Sequence, residues 1–137
     1  MKGPDTAELR RMLDMAYGAM ERAYVPYSHF AVGACLRTAE GRYYLGCNIE
    51  NASYTPTICA ERTALFKAVS EGERAFDAIA VVCLGRNPAF PCGVCRQALN
   101  EFCSADMPVI CGNGAHESVL TTLGELLPHA FGPEDLL

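Results

Sequence analysis

Three cysteines and one glutamate carry the chemistry most clearly written in this chain: Cys59-Ala60-Glu61 and, 33 residues further on, Pro91-Cys92-Gly93-Val94-Cys95. Thiolates are soft ligands that suit zinc. Three protein ligands rather than four leave a position for water, which separates a catalytic zinc site from a structural one. No fourth ligand stands at an obvious spacing, because none of the three histidines, His29, His116 and His129, lies within a few residues of these cysteines. Glu61, two residues past Cys59, is near enough to reach such a water and poorly placed to share the metal, so it is the natural proton carrier. The expectation is a hydrolytic site holding one Zn2+ per chain.

Elements must bring the two motifs together. Asp5 followed by Glu8 reads as a capping box, and Leu9, Met12, Leu13, Ala16 and Met20 recur at helical spacing, so a first helix is expected to run to about Arg22. Pro26 lies beyond it. Phe30 to Leu36 and Tyr43 to Asn48, parted by Gly41, read as a strand pair. A second helix follows from about Ile58 to Glu71 with Gly72 as its stop signal, then a continuous apolar run, Ala78 to Leu84, suited to a central buried strand. A third helix is expected from Gly93 to about Cys103, with short strands at Val109 to Cys111 and Ser118 to Leu120. The order α-β-β-α-β-α-β-β implies an α/β fold, a mixed sheet covered by helices. It also places both cysteine motifs at helix N-termini, where free N–H groups and the positive end of the dipole stabilise thiolates. Arg62, three residues after Cys59, shares its helix face; Arg96, four after Cys92, could do the same or face solvent.

Composition narrows the partners. A chain of 137 residues suits one domain over 1–137, which buries roughly two thirds of its unfolded surface. Half of the residues are hydrophobic, yet no apolar run approaches the length of a membrane span, and the first residues lack the apolar stretch of a signal peptide. A cytoplasmic protein with no membrane partner is expected. With Cys-x-x-Cys in a metal context, reduced thiols fit better than a disulfide framework, and Cys35, Cys47, Cys83, Cys103 and Cys111 read as small buried hydrophobes. A formal charge of −5 opposes nucleic-acid binding. A free nucleoside is the better substrate.

Five segments in order resemble the small three-cysteine cytidine deaminases. They are Tyr27-Ser28-His29-Phe30-Ala31-Val32-Gly33-Ala34, Asn48-Ile49-Glu50-Asn51-Ala52-Ser53-Tyr54, Thr57-Ile58-Cys59-Ala60-Glu61-Arg62-Thr63-Ala64, Pro91-Cys92-Gly93-Val94-Cys95-Arg96-Gln97 and Leu126-Leu127-Pro128-His129-Ala130-Phe131-Gly132-Pro133. The pattern of three zinc ligands, a non-ligand Glu and Pro-Cys-x-x-Cys is that of zinc deaminases generally. Thr55-Pro56 and Cys35 depart from the family's usual residues. The resemblance implies a three-layer α/β/α sandwich on a mixed five-stranded sheet, and zinc-dependent deamination of cytidine and deoxycytidine in pyrimidine salvage. It further implies a homotetramer with shared active sites. In it Cys59, Cys92 and Cys95 hold zinc, Glu61 moves protons and Arg62 donates to the thiolates. Asn48 and Glu50 bind the ribose 3′-hydroxyl, Phe30 packs on the nucleoside, the Ala60 N–H holds the base carbonyl, and Tyr54 and Phe131 reach a neighbouring subunit's site. A related deaminase of blasticidin-type compounds, or a structural zinc module, would share the cysteines without needing the whole set.

Overall fold

The protein is described by a computed structural model over residues 3–137. Helix α1 spans Thr6–Met20, opened by Asp5, whose side chain accepts the Glu8 N–H at 2.9 Å. It ends two residues before the expected Arg22, because the chain tightens there: Glu21 and Arg22 donate to carbonyls three residues back rather than four. Strands β1 (Val32–Thr38) and β2 (Tyr43–Cys47) follow, then α2 (Ala60–Ser70), β3 (Phe76–Cys83), α3 (Gly93–Asn100), β4 (Pro108–Gly112) and β5 (Ser118–Thr122). Two short elements lie beyond the expected order: α4 (Leu123–Leu126), capped by Thr122 accepting from the Glu125 N–H, and a 3-10 turn at Pro133–Asp135.

β1 begins at Val32 rather than at the expected Phe30 for a local reason. The Asn48 side chain occupies the backbone there, donating from Nδ2 to the Phe30 carbonyl (2.8 Å) and accepting the Val32 N–H on Oδ1 (2.9 Å). A side-chain amide thus replaces one step of the ladder.

The five strands lie in the order β2-β1-β3-β4-β5. β1 is antiparallel to β2 and β3, β3 is parallel to β4, and β4 is antiparallel to β5, so the sheet is mixed and α3 rides in the one parallel crossover. Alternate residues of β3 serve opposite faces. Ala78, Ala80 and Val82 pack with Leu9, Met12, Leu13 and Ala16 of α1, while Ile79 and Val81 pack with Ala64, Leu65 and Ala68 of α2 and Leu99 of α3. A strand buried on both sides has no polar alternation, which is why it reads as a continuous apolar run. The result is three layers, α1 on one face and α2 with α3 on the other. That second face carries the chemistry.

Candidate active site

α2 and α3 begin side by side on this face, and each begins at a cysteine. Cys59 caps α2 and Cys92 caps α3; both have extended backbone, with φ −77° and −67°, and neither side chain bonds back to its own helix. Cys95 adds its thiol from the first turn of α3. The three sulfurs lie within 4.8 Å of one another, with Cys59 and Cys92 at 3.6 Å. Zn–S bonds of about 2.3 Å at tetrahedral angles would set sulfurs about 3.8 Å apart, so the three thiols fit zinc. Among the described residues no other group of three or more Cys, His, Asp or Glu is gathered in this way.

Arg62 and the neighbouring thiols shape the charge of the cluster. Hydrogen bonds from Cys95 and from Arg62, whose Nη2 lies 3.5 Å from Cys59 Sγ, hold the Cys59 thiol down at about 5. Cys95 is pushed up by its bond to Cys59 and by burial. A divalent ion held here would ionise both thiols. Arg62 donates to Cys59 through Nη2, while its Nε is buried without a hydrogen bond among the described residues. Glu61 is only 4% exposed, and burial pushes its carboxyl up to about 7. A carboxyl that changes protonation near neutrality is suited to general acid and base work.

These groups open into a cavity of about 390 Å³. Of the residues expected at the site, Phe30, Asn48, Cys59, Ala60, Glu61 and Cys92 line it. Asn48, though it braces the Phe30–Val32 backbone, keeps a second N–H and a second lone pair. Glu50 does not line the cavity; its Oε1 accepts the backbone N–H groups of Tyr27 (3.0 Å) and Ser28 (3.1 Å). Hydrogen bonds from Ser28 and these N–H groups keep its carboxyl below the usual range. Tyr54, at φ 63°, is 78% exposed, and neither it nor Phe131 lines the cavity of its own chain.

Several wall residues were not visible in the sequence. Val32 and Val81 contribute from the sheet, and Pro88-Ala89-Phe90 forms a further wall, pinned by the Ala89 N–H on the Gly112 carbonyl. Arg96 does not reach the thiolates as Arg62 does. It donates from Nε to the Pro91 carbonyl (2.6 Å) and from Nη1 to the Leu126 carbonyl (2.9 Å), so it anchors the loop that delivers Cys92.

Residues 6–111 match the family described as the cytidine and deoxycytidylate deaminase zinc-binding region. The cytidine deaminase of Sporosarcina psychrophila is 50% identical over 129 residues, spanning 94% of this chain and 95% of that protein. That of Halalkalibacterium halodurans is 53% identical over 125 residues, spanning 91% and 95%. The crystal structure of cytidine deaminase from Burkholderia pseudomallei superposes with a TM-score of 0.85 at 46% identity, covering 88% of this chain and 97% of that one. Three thiols at two helix N-termini, a buried acid beside them and matches of this extent lead to one assignment: the chain belongs to the cytidine and deoxycytidylate deaminase family.

Proposed function

We propose that this chain hydrolyses the 4-amino group of cytidine and deoxycytidine, yielding uridine or deoxyuridine and ammonia. The observation that carries the reading is Glu61, buried at the floor of a cavity next to three zinc-fitting thiols. Zinc, when bound, supplies the Lewis acidity that lowers the pKa of a water beside carbon 4 of the base. Glu61 takes one proton from that water and delivers it to ring nitrogen 3, so carbon 4 becomes electrophilic. Once the oxygen has added, Glu61 passes the second proton to the exocyclic amine, the C–N bond breaks and ammonia leaves.

Cys59, Cys92 and Cys95 are the ligands in this reading, and Arg62 draws charge from Cys59. That offset has a purpose, because three thiolates on one 2+ ion weaken its acidifying effect. The Ala60 N–H, one of the free donors of the first turn of α2, holds the base carbonyl, and Phe30 packs against the nucleoside. Asn48 through its spare N–H and Glu50 through its carboxylate take the ribose 3′-hydroxyl. Tyr54 and Phe131, outside their own cavity, complete the pocket of an adjoining subunit in a homotetramer. The setting is cytoplasmic pyrimidine salvage. Addition of the purified, zinc-loaded protein to cytidine is expected to remove the cytidine absorbance with one ammonia released per base; an unchanged spectrum would overturn the assignment.

A further inference from the structure

The helix that carries two of the three thiols also grips the C-terminal segment. Arg96 reaches the Leu126 carbonyl; one residue on, Gln97 donates from Nε2 to the Phe131 carbonyl at 2.8 Å, and Asn100 donates from Nδ2 to the same oxygen at 3.2 Å. Gln97 and Asn100 stand three apart, so their side chains leave one face of α3, and a carbonyl oxygen has two lone pairs to receive both amides. Immediately beyond, the Gly132 N–H donates to Asp135 Oδ2 at 2.8 Å, which closes the Pro133–Asp135 turn. The Phe131 backbone is therefore held while the residue stays 58% exposed, beside a cavity that it lines with Gln97, Glu101 and Leu136.

We propose that Gln97 and Asn100 are positioning residues for Phe131, fixing the backbone from which its ring projects into an adjoining subunit's nucleoside pocket. The inference rests on the shared-site reading above. Residues 127–132 belong to no helix or strand, so no ladder sets their register, and the two amides supply it instead. Since both amides come from α3, they reference the ring to the element that holds Cys92 and Cys95. Without them the ordering of the segment falls to the moment of substrate binding and weakens it. A ring that packs on the nucleoside acts in the ground state and the transition state alike, so the loss is expected in KM more than in kcat.

The test is a cycle of zinc-loaded variants: Phe131→Ala, the double replacement Gln97→Ala with Asn100→Ala, and the triple. Phe131→Ala is expected to lower kcat/KM for cytidine by about 10-fold, and the amide pair by about 5-fold through KM with zinc content unchanged. The triple variant should fall within about 2-fold of Phe131→Ala alone, because residues acting through one group do not add. Multiplying losses, an unchanged KM in the amide variant, or loss of zinc would overturn the positioning role and leave the shared site standing. An unaffected Phe131→Ala enzyme would overturn the shared site and the inference with it. If the double variant does not fold, either single replacement paired with Phe131→Ala yields the same cycle.

Discussion

Gly46 of β2 lies against the carbonyl of Ala60, the residue that follows Cys59: a Cβ at position 46 would stand 2.2 Å from that oxygen and 2.7 Å from the Ala64 nitrogen. Both obstacles are backbone, so α2 would have to move as a body. Gly46→Ala is expected to cost about 1–3 kcal/mol as an overpacked contact and to shift Cys59 away from Cys92. Thermal unfolding and zinc content should both fall; a variant with unchanged metal would mean that α2 is free to slide without disturbing its first turn.

Metal analysis should return one zinc per chain. Cys59→Ala, Cys92→Ala or Cys95→Ala is expected to abolish stoichiometric zinc and lower the Tm, whereas Cys111→Ala, in the core on the same sheet face, should keep the metal. Active protein free of zinc would sink the metal reading.

Glu61→Gln keeps the shape of the residue and removes its proton chemistry. Folding and zinc content should be retained while turnover falls by at least ~10²- to 10⁴-fold, the usual worth of a positioned acid or base. Steady-state kinetics on cytidine decide the matter, and substantial activity would move the proton carrier elsewhere.

Co-expression of Glu61→Gln with Phe131→Ala offers a test of sharing. In mixed oligomers some pockets should combine an intact Glu61 from one chain with an intact Phe131 from another. Activity above the sum of the two separate variants is expected; no recovery despite demonstrated mixed assembly would assign each pocket to one chain.

Alkaline pH should destabilise the protein through its structural thiols. Burial pushes Cys35, Cys103 and Cys111 up from 9.0 to about 12. Their folded values lie above their unfolded ones, so the stability they contribute is fully present below pH 9 and is lost as the pH rises through 12. The Tm is expected to decline across that window, and Cys35 and Cys111, which are fully buried, should resist alkylation of the folded protein at pH 8. Rapid labelling there would contradict their burial.

The sequence and the structure agree most closely where function is local. Cys59 and Cys92 fall at helix starts because the apolar spacing that follows each motif sets the helices, and the double burial of β3 shows as its unbroken apolar run. Features that depend on distant backbone leave no such local trace. Pro88, Ala89 and Phe90 have no periodicity, and only the bond from Ala89 to Gly112 on the neighbouring strand sets them against the cavity. Arg96 is ambiguous by spacing alone, since its choice of the Pro91 and Leu126 carbonyls depends on where the chain returns some 30 residues later. For α4 the signal was present: Thr122 followed three residues on by Glu125 is the start signature of a helix, obscured by the shortness of the four-residue element.

The placement of Cys59 and Cys92 at the starts of two helices makes the metal a crosslink. Joining residues 59 and 92 closes a loop that contains α2 and β3, and a permanent bond across such a span would remove roughly 4 kcal/mol of chain entropy from the unfolded state. A coordination bond gives the same topological restraint without an oxidant, so it can form in a reducing compartment. Unlike a disulfide it is also reversible by mass action, and the stability of the fold becomes a function of free zinc. Scarcity of the ion would then reduce the amount of folded protein as well as the activity of each molecule.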